Sequence, residues 1–167
     1  MVDRKIIAFY SPYTRAGKST AAKLTGGLIY SFATPIKHMA GLLYAEYGYG
    51  IRDYYELRDL HIAIGQGVKQ RDPDIWVRIM SKEIEDFPEY SLMIIDDLRF
   101  MNEYAMLKEM GAKIIRITNP EREIVKTETE GLLEGFEFDY ELVNDKRSID
   151  EYHAQINEMM SELWPQS

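Results

Sequence analysis

The chain contains no cysteine. That excludes a disulfide-stapled scaffold and any thiolate metal centre, and it suits a reducing compartment. Long apolar runs are missing as well. The run near the N-terminus, in MVDRKIIAFY, gives way at once to a polar loop; it is too short to span a bilayer and lacks the shape of a signal peptide, so a soluble cytoplasmic protein with no membrane partner is expected. Basic charge is scarce: 20 Lys and Arg against 28 Asp and Glu leave a net charge of -8. An acidic surface repels duplex nucleic acid, whose binding draws on many cationic contacts to phosphate. It does not repel a small phosphorylated ligand held by a local cluster of basic groups. The three histidines, His38, His61 and His153, are too far apart for metal-ligand spacing. Repeats, low-complexity tracts and linkers are absent, and the six prolines are scattered as punctuation.

What is present is a globular balance of 46% apolar and 29% charged residues over 167 positions, which fits one domain with one sizeable core. Short apolar runs alternate with helical patterns. Strands are expected at 4–10, 28–32, 91–96, 112–118 and 140–144, and helices at 17–25, from Pro35 onward, at 55–66, 73–86, 100–110 and 148–164. Gly26 and Gly27 break the first helix, Gly111 stops the fifth, and Gly65-Gln66-Gly67 argues for a bend rather than one unbroken helix. Ser148 is a good N-cap, with Ile149, Tyr152, Ile156, Met159 and Leu163 along one face of the last helix. Five short apolar strands separated by helices predict a parallel sheet covered on both faces. Ligands of such sheets bind beyond the carboxyl ends of the strands.

The sharpest local signal is Ser11-Pro12-Tyr13-Thr14-Arg15-Ala16-Gly17-Lys18-Ser19-Thr20, which follows an expected strand and opens an expected helix. That is the setting of a phosphate-binding P-loop. A loop wrapped over a helix N-terminus points backbone N–H groups at phosphate, and the helix dipole adds partial positive charge. Arg15 to Thr20 are therefore the candidate nucleotide contacts. Lys18 is placed to reach the β- and γ-phosphates and Ser19 to ligate Mg²⁺. Pro12 stands where the pattern has Gly; it fixes φ and removes one N–H.

A second polar cluster ends the strand at 91–96. Asp96 and Asp97 are followed by Arg99, Asn102 and Glu103. A carboxylate beside a P-loop can serve Mg²⁺ or its water shell, and either Asp96 or Asp97 fits; Arg99 at the same edge is placed to meet an anion. The alternative is a helix-capping Asp with a surface Arg. Between the second and third strands stand Arg58, His61, Lys69, Arg71, Trp76 and Arg78. Arginine suits bidentate contact with an acceptor phosphate, and Trp76, Phe32, Tyr54 or Tyr55 could stack on a base. A core tryptophan and a solvated Arg78 are the plainer readings of those two residues.

Taken in order, these segments resemble the phage-type deoxynucleoside monophosphate kinases, within the P-loop nucleoside monophosphate kinase group. The match is carried by Arg15–Thr20, by Ser31-Phe32-Ala33-Thr34-Pro35-Ile36-Lys37, and by Ile64-Gly65-Gln66-Gly67 with Arg71-Asp72-Pro73-Asp74-Ile75-Trp76-Val77. It continues through Asp97-Leu98-Arg99-Phe100 with Asn102-Glu103, then Thr129-Glu130, and Phe138-Asp139-Tyr140 leading to Asn144-Asp145. The resemblance implies a three-layer α/β/α P-loop kinase fold with a parallel five-stranded sheet in the order 2-3-1-4-5. It implies ATP- and Mg²⁺-dependent transfer of a phosphoryl group to a dNMP, giving dNDP and ADP. It places Lys18 and Ser19 at ATP and Arg71 and Arg99 near the acceptor. Phe32, Lys37, Trp76 and Glu103, in the matching motifs, join these as candidate acceptor contacts, and Asp97 joins Ser19 as a candidate metal ligand. An acceptor-binding helical region is expected at about 36–88 of a single domain spanning 1–167.

The same resemblance implies a short lid at about 118–136. That segment is charged, and Gly131 and Gly135 permit hinge motion. Arg122, with Lys126 one helical turn later, is the candidate catalytic cation beside Lys18 and Arg99; Arg116 is a further candidate. A solvated helix whose Arg122 pairs with a neighbouring acid is the competing reading. A homodimer is compatible with the sequence. Two other functions compete: another small-molecule P-loop kinase, similar to dephospho-coenzyme A kinases, and a nucleotide-binding module without catalysis.

Overall fold

A computed structural model of the chain describes residues 4–13, 15–47, 54–86, 92–121, 131–145 and 148–165. Two compact units emerge. The first joins Met1–Tyr30 to Phe87–Ser167, and the second is Ser31–Asp86.

The first unit is built on the five strands. They are β1 (Lys5–Tyr10), β2 (Leu28–Tyr30), β3 (Leu92–Ile95), β4 (Lys113–Thr118) and β5 (Tyr140–Val143). All pairings are parallel and the order is β2-β3-β1-β4-β5, as expected for a P-loop kinase. The central strands read as near-continuous apolar runs because both faces are covered: Ile6 to Tyr10, Met93 to Ile95, and Ile114, Ile115 and Ile117 are all buried. The edge strand β2 is shorter than its apolar run, and Leu28 and Ile29 are exposed.

Alternation along the strands sorts the two faces. On one, Ile7, Phe9, Ile94, Ile115, Ile117 and Leu142 pack with Ala21 and Ala22 of helix α1 (Lys18–Thr25) and with Tyr152, Ile156 and Met159 of the C-terminal helix, Ile149–Leu163. Each such side chain contributes about 1.5–3 kcal/mol on burial. The C-terminal helix begins as its sequence suggests: Ser148 Oγ accepts the Glu151 N–H at 3.2 Å and the Glu151 carboxylate accepts the Ser148 N–H at 2.9 Å, a capping box. Its apolar stripe starts one turn later than expected. Ile149, at the first helical position, points to solvent and is 61% exposed.

On the other face, Tyr10 stacks on Phe138, with ring centroids 5.4 Å apart. Tyr104, on the helix Met101–Glu109, packs edge-on against Phe136 and donates its hydroxyl to the Glu137 carbonyl at 2.6 Å. Helix 101–109 therefore lies with 136–138 across the sheet from α1, completing three layers. Gly111, at φ +78°, stops that helix in the left-handed conformation.

The second unit is helical: α2 (Thr34–Tyr47), α3 (Tyr54–Arg71) and α4 (Ile75–Glu85). Helix α5 is then Met101–Glu109 and α6 is Ile149–Leu163. The bend expected at Gly65-Gln66-Gly67 does not occur; α3 runs unbroken through both glycines. Each costs about 1 kcal/mol of helix propensity, and packing offsets it at Gly65. A β-carbon there would lie 3.1 Å from Ile36 Cδ1 of α2, and the Gly65 carbonyl accepts the Trp76 indole N–H at 3.3 Å. The glycine lets α2 and α3 approach and ties α3 to α4.

Candidate functional site

The candidate phosphate loop leaves the buried end of β1 at Tyr10 and enters α1 at Lys18. Two ties fix its course. Ser11, 1% exposed, donates its hydroxyl to the Ile117 carbonyl of β4 at 2.7 Å, and the same oxygen accepts the Tyr13 N–H at 3.2 Å. This hydroxyl-closed turn brackets Pro12, so the proline's missing N–H leaves no gap in the hydrogen bonding there. At the far end of the loop, Asn144 Nδ2 donates to the Ala16 carbonyl at 2.9 Å. Arg15 (φ 55°) and Gly17 (φ 94°) both adopt the left-handed conformation, with Ala16 buried between them. Gly17 is the N-cap of α1 and brings no capping side chain of its own. The first turn of α1 carries Lys18 and Thr20 half-buried and Ser19 exposed, and a glycine N-cap leaves the helix start without a competing cap from that residue, which suits an anion-binding helix start.

Beside it, β3 ends at Ile95, paired with Ala8 of β1, and the chain turns through Asp96 and Asp97 at the same edge of the sheet. Crossovers from these adjacent strands leave on opposite faces, α1 on one and α5 on the other. That is a topological switch point, where ligands of parallel sheets bind. Asp96, Asp97 and Arg99 are half-buried there. Ser19 and the carboxylates of Asp96 and Asp97 are hard oxygen donors, the ligand type Mg²⁺ takes when one or two come from protein and the rest from water and phosphate. Among the described residues no cluster of three or more acids and histidines offers a fuller cage.

Glu103, expected at the acceptor, faces the backbone instead. Buried to 6% exposure, its Oε2 accepts the N–H groups of Arg99 at 2.9 Å and Phe100 at 3.0 Å. It caps α5 from the third helical position and holds the main chain that carries Arg99.

Arg116 does not present itself to a phosphate. Its guanidinium meets Glu134 at 3.2 and 2.7 Å and Glu141 at 3.3 Å. The bidentate bond to Glu134 holds its pKa above the ordinary arginine value. Burial, then the negative charge of Glu134, push the Tyr10 phenol up as well. Burial raises Tyr152 to about 12, so this phenol stays neutral beneath the loop.

In the helical unit, Lys37 is exposed in the first turn of α2 and Arg71 is exposed in the last turn of α3. Phe32 and Trp76 are buried, at 5% and 8% exposure. The Trp76 indole bonds α3, so it is a core residue of this unit rather than an open platform. Arg78 pairs with Asp72 on the surface. Arg122, Lys126 and the middle of the expected lid lie outside the described residues, as does Thr14 of the loop.

The edge of the first unit thus gathers Arg15–Thr20, Asp97 and Arg99. Phe32, Lys37, Arg71 and Trp76 belong to the second unit. The sequence motifs include Ser11 and Asn144 but signal neither their contacts nor the backbone role of Glu103. The available signal was their place: polar residues immediately beyond β1 and β5 and one turn into α5.

No described helix is long and apolar enough to cross a membrane. No protein-family model matches the chain, and no curated protein is similar to it at a significant level. Among solved structures, the shikimate kinase from Bacteroides thetaiotaomicron is similar over 94% of this chain and 98% of its own, with 14% identity and a TM-score of 0.47.

Proposed function

We propose that this chain is a deoxynucleoside monophosphate kinase that moves the γ-phosphoryl group of ATP onto a dNMP. The observation that carries the reading is the start of α1 at Gly17, a left-handed glycine N-cap in the loop that follows β1, with β3 paired beside β1 and running on into Asp97 and Arg99. The acceptor class rests on the motif resemblance.

In this reading the backbone N–H groups of Arg15 to Thr20 and the Lys18 ammonium hold the ATP phosphates. Ser19 and Asp97 would hold Mg²⁺, which when bound would supply neutralisation of phosphate charge. An oxygen of the acceptor phosphate attacks the γ-phosphorus in line; that P–O bond forms as the bond to the ADP oxygen breaks. The acceptor is already an anion, so no strong general base is required. Catalysis then comes from positioning and charge stabilisation by Lys18, Arg99 and, from the expected lid, Arg122. Arg71 and Arg99 orient the acceptor phosphate, with Lys37 as a further cation. A soluble cytoplasmic enzyme of deoxynucleotide metabolism suits these substrates.

The test is a panel assay of the full chain with ATP and Mg²⁺ against each dNMP, each NMP and dephospho-coenzyme A. ADP formation that depends on one or more dNMPs is the expected result. Turnover confined to a non-nucleotide acceptor, or ATP binding with no turnover, would overturn the assignment.

A further inference from the structure

We infer that Asn144 is a positioning residue for the phosphate loop, acting through the Ala16–Gly17 peptide; the inference rests on the reading of that loop as the ATP site. Asn144 lies immediately after β5, 128 positions from Ala16 in sequence, yet its Nδ2 donates to the Ala16 carbonyl at 2.9 Å. Its own backbone is anchored, because the Asn144 N–H donates to the Thr118 carbonyl at 2.9 Å. The side chain therefore reaches the loop from a fixed strand end.

The consequence follows from peptide geometry. In a planar trans peptide the C=O and the following N–H point in opposite directions. Pinning the Ala16 carbonyl toward Asn144 turns the Gly17 N–H away from Asn144. The pin matters because this plane runs into Gly17, which sits at φ 94°, and a peptide next to glycine flips readily. A flip would aim a carbonyl oxygen where phosphate needs a donor. The contact is also close enough to dictate the residue it touches. A β-carbon on Gly17 would lie 2.6 Å from Asn144 Nδ2 and 3.7 Å from the Tyr152 hydroxyl, so Gly17 is required both by its φ and by the space Asn144 fills. The Tyr152 hydroxyl, buried beside this contact, has no hydrogen-bond partner among the described residues. It provides a nearby control that leaves the pin intact.

The experiment measures binding of ATP and of inorganic tripolyphosphate, a bare phosphate chain, to the full-length wild type and to Asn144→Asp, Asn144→Ser and Tyr152→Phe, with thermal unfolding of each. Asp keeps the shape but puts a carboxylate against the Ala16 carbonyl; Ser shortens the reach. Both Asn144 variants should stay folded and bind ATP and tripolyphosphate about tenfold or more weakly, by similar factors for the two probes. Tyr152→Phe should bind both as the wild type does. Wild-type affinity for both probes in a folded Asn144 variant would overturn the inference. So would loss of the folded state in both variants, which would make Asn144 a folding residue. If the wild type itself binds neither probe, the phosphate-site reading fails, an outcome distinct from either.

Discussion

One carboxylate oxygen of Glu103 accepts the backbone N–H of Arg99 at 2.9 Å and that of Phe100 at 3.0 Å. The acid is buried, so it is not free to be traded for an apolar residue. It shapes the turn on which Arg99 stands. Glu103→Ala leaves two N–H groups without their acceptor and should cost about 2 kcal/mol in urea unfolding. Glu103→Gln keeps an accepting oxygen and should cost less than about 1 kcal/mol. If alanine were as stable as wild type, the cap would have no energetic role.

Arg71 and Arg99 are proposed to bind the acceptor phosphate. Replacing either with lysine keeps the charge and loses the bidentate fork. The expected result is a rise in acceptor KM or a fall in acceptor kcat/KM, with ATP affinity unchanged. A loss of ATP affinity alone, with acceptor kinetics intact, would reverse the two sites.

Asp139 ties the start of β5 to β4. Its Oδ2 accepts the Ile114 N–H at 2.8 Å and a Lys108 ammonium proton at 3.0 Å, and Lys113 lies at 3.6 Å. Burial alone would raise this carboxyl, but the Ile114 N–H and then the two lysines outweigh it, and the folded state holds it below its ordinary 3.8. Its stabilisation is therefore complete above that pH and drains away as pH falls through the lower, folded value. With solvent screening the lysines, Asp139→Asn should cost on the order of 1 kcal/mol at neutral pH. The gap between wild type and variant should shrink as pH falls below 3.8. A gap that stays constant into acid would assign the loss to shape rather than charge.

Much of the fold was legible because burial on both faces leaves short, largely apolar strands, as in IIAFY of β1 and KIIRIT of β4. The capping of α6 by Ser148 followed from cap chemistry, whereas the sheet order came with the motif resemblance rather than from pattern. Local signals misled where a tertiary contact outweighed them. Gly65 punctuates the sequence but serves a helix crossing, and Ile149 is apolar yet sits one turn before the buried stripe. For the candidate site, the strand–loop–helix setting of Arg15–Thr20 was legible because it is spelled out within a short stretch of sequence. Asn144 was not, because its partner Ala16 lies at the other end of the chain, and no spacing rule reports such a contact. Glu103 was visible as a polar residue in the right stretch, but its buried, backbone-directed carboxylate belongs to three dimensions.

Lys18 is the loop side chain proposed to follow charge onto the transferring phosphoryl group, and Arg122 is proposed to join it from the expected lid. Lys18→Ala should lower kcat by about a hundredfold or more, roughly 3 kcal/mol, with thermal unfolding unchanged. Arg122→Ala should lower kcat by at least about tenfold with little change in ATP affinity. Near wild-type kcat in either variant removes that residue from the mechanism. Arg116, already held by Glu134 and Glu141, should not substitute for Arg122.

The most direct measurement follows the γ-phosphorus itself. The full-length protein is incubated with Mg²⁺, ATP labelled at the γ-position, and each dNMP in turn, and the products are separated. Phosphoryl transfer to a dNMP places the label on dNDP, with one ADP formed for each dNDP and none of the label released as inorganic phosphate beyond the rate without enzyme. Label that stays on ATP with every dNMP, or that appears only as inorganic phosphate, would contradict the proposed kinase.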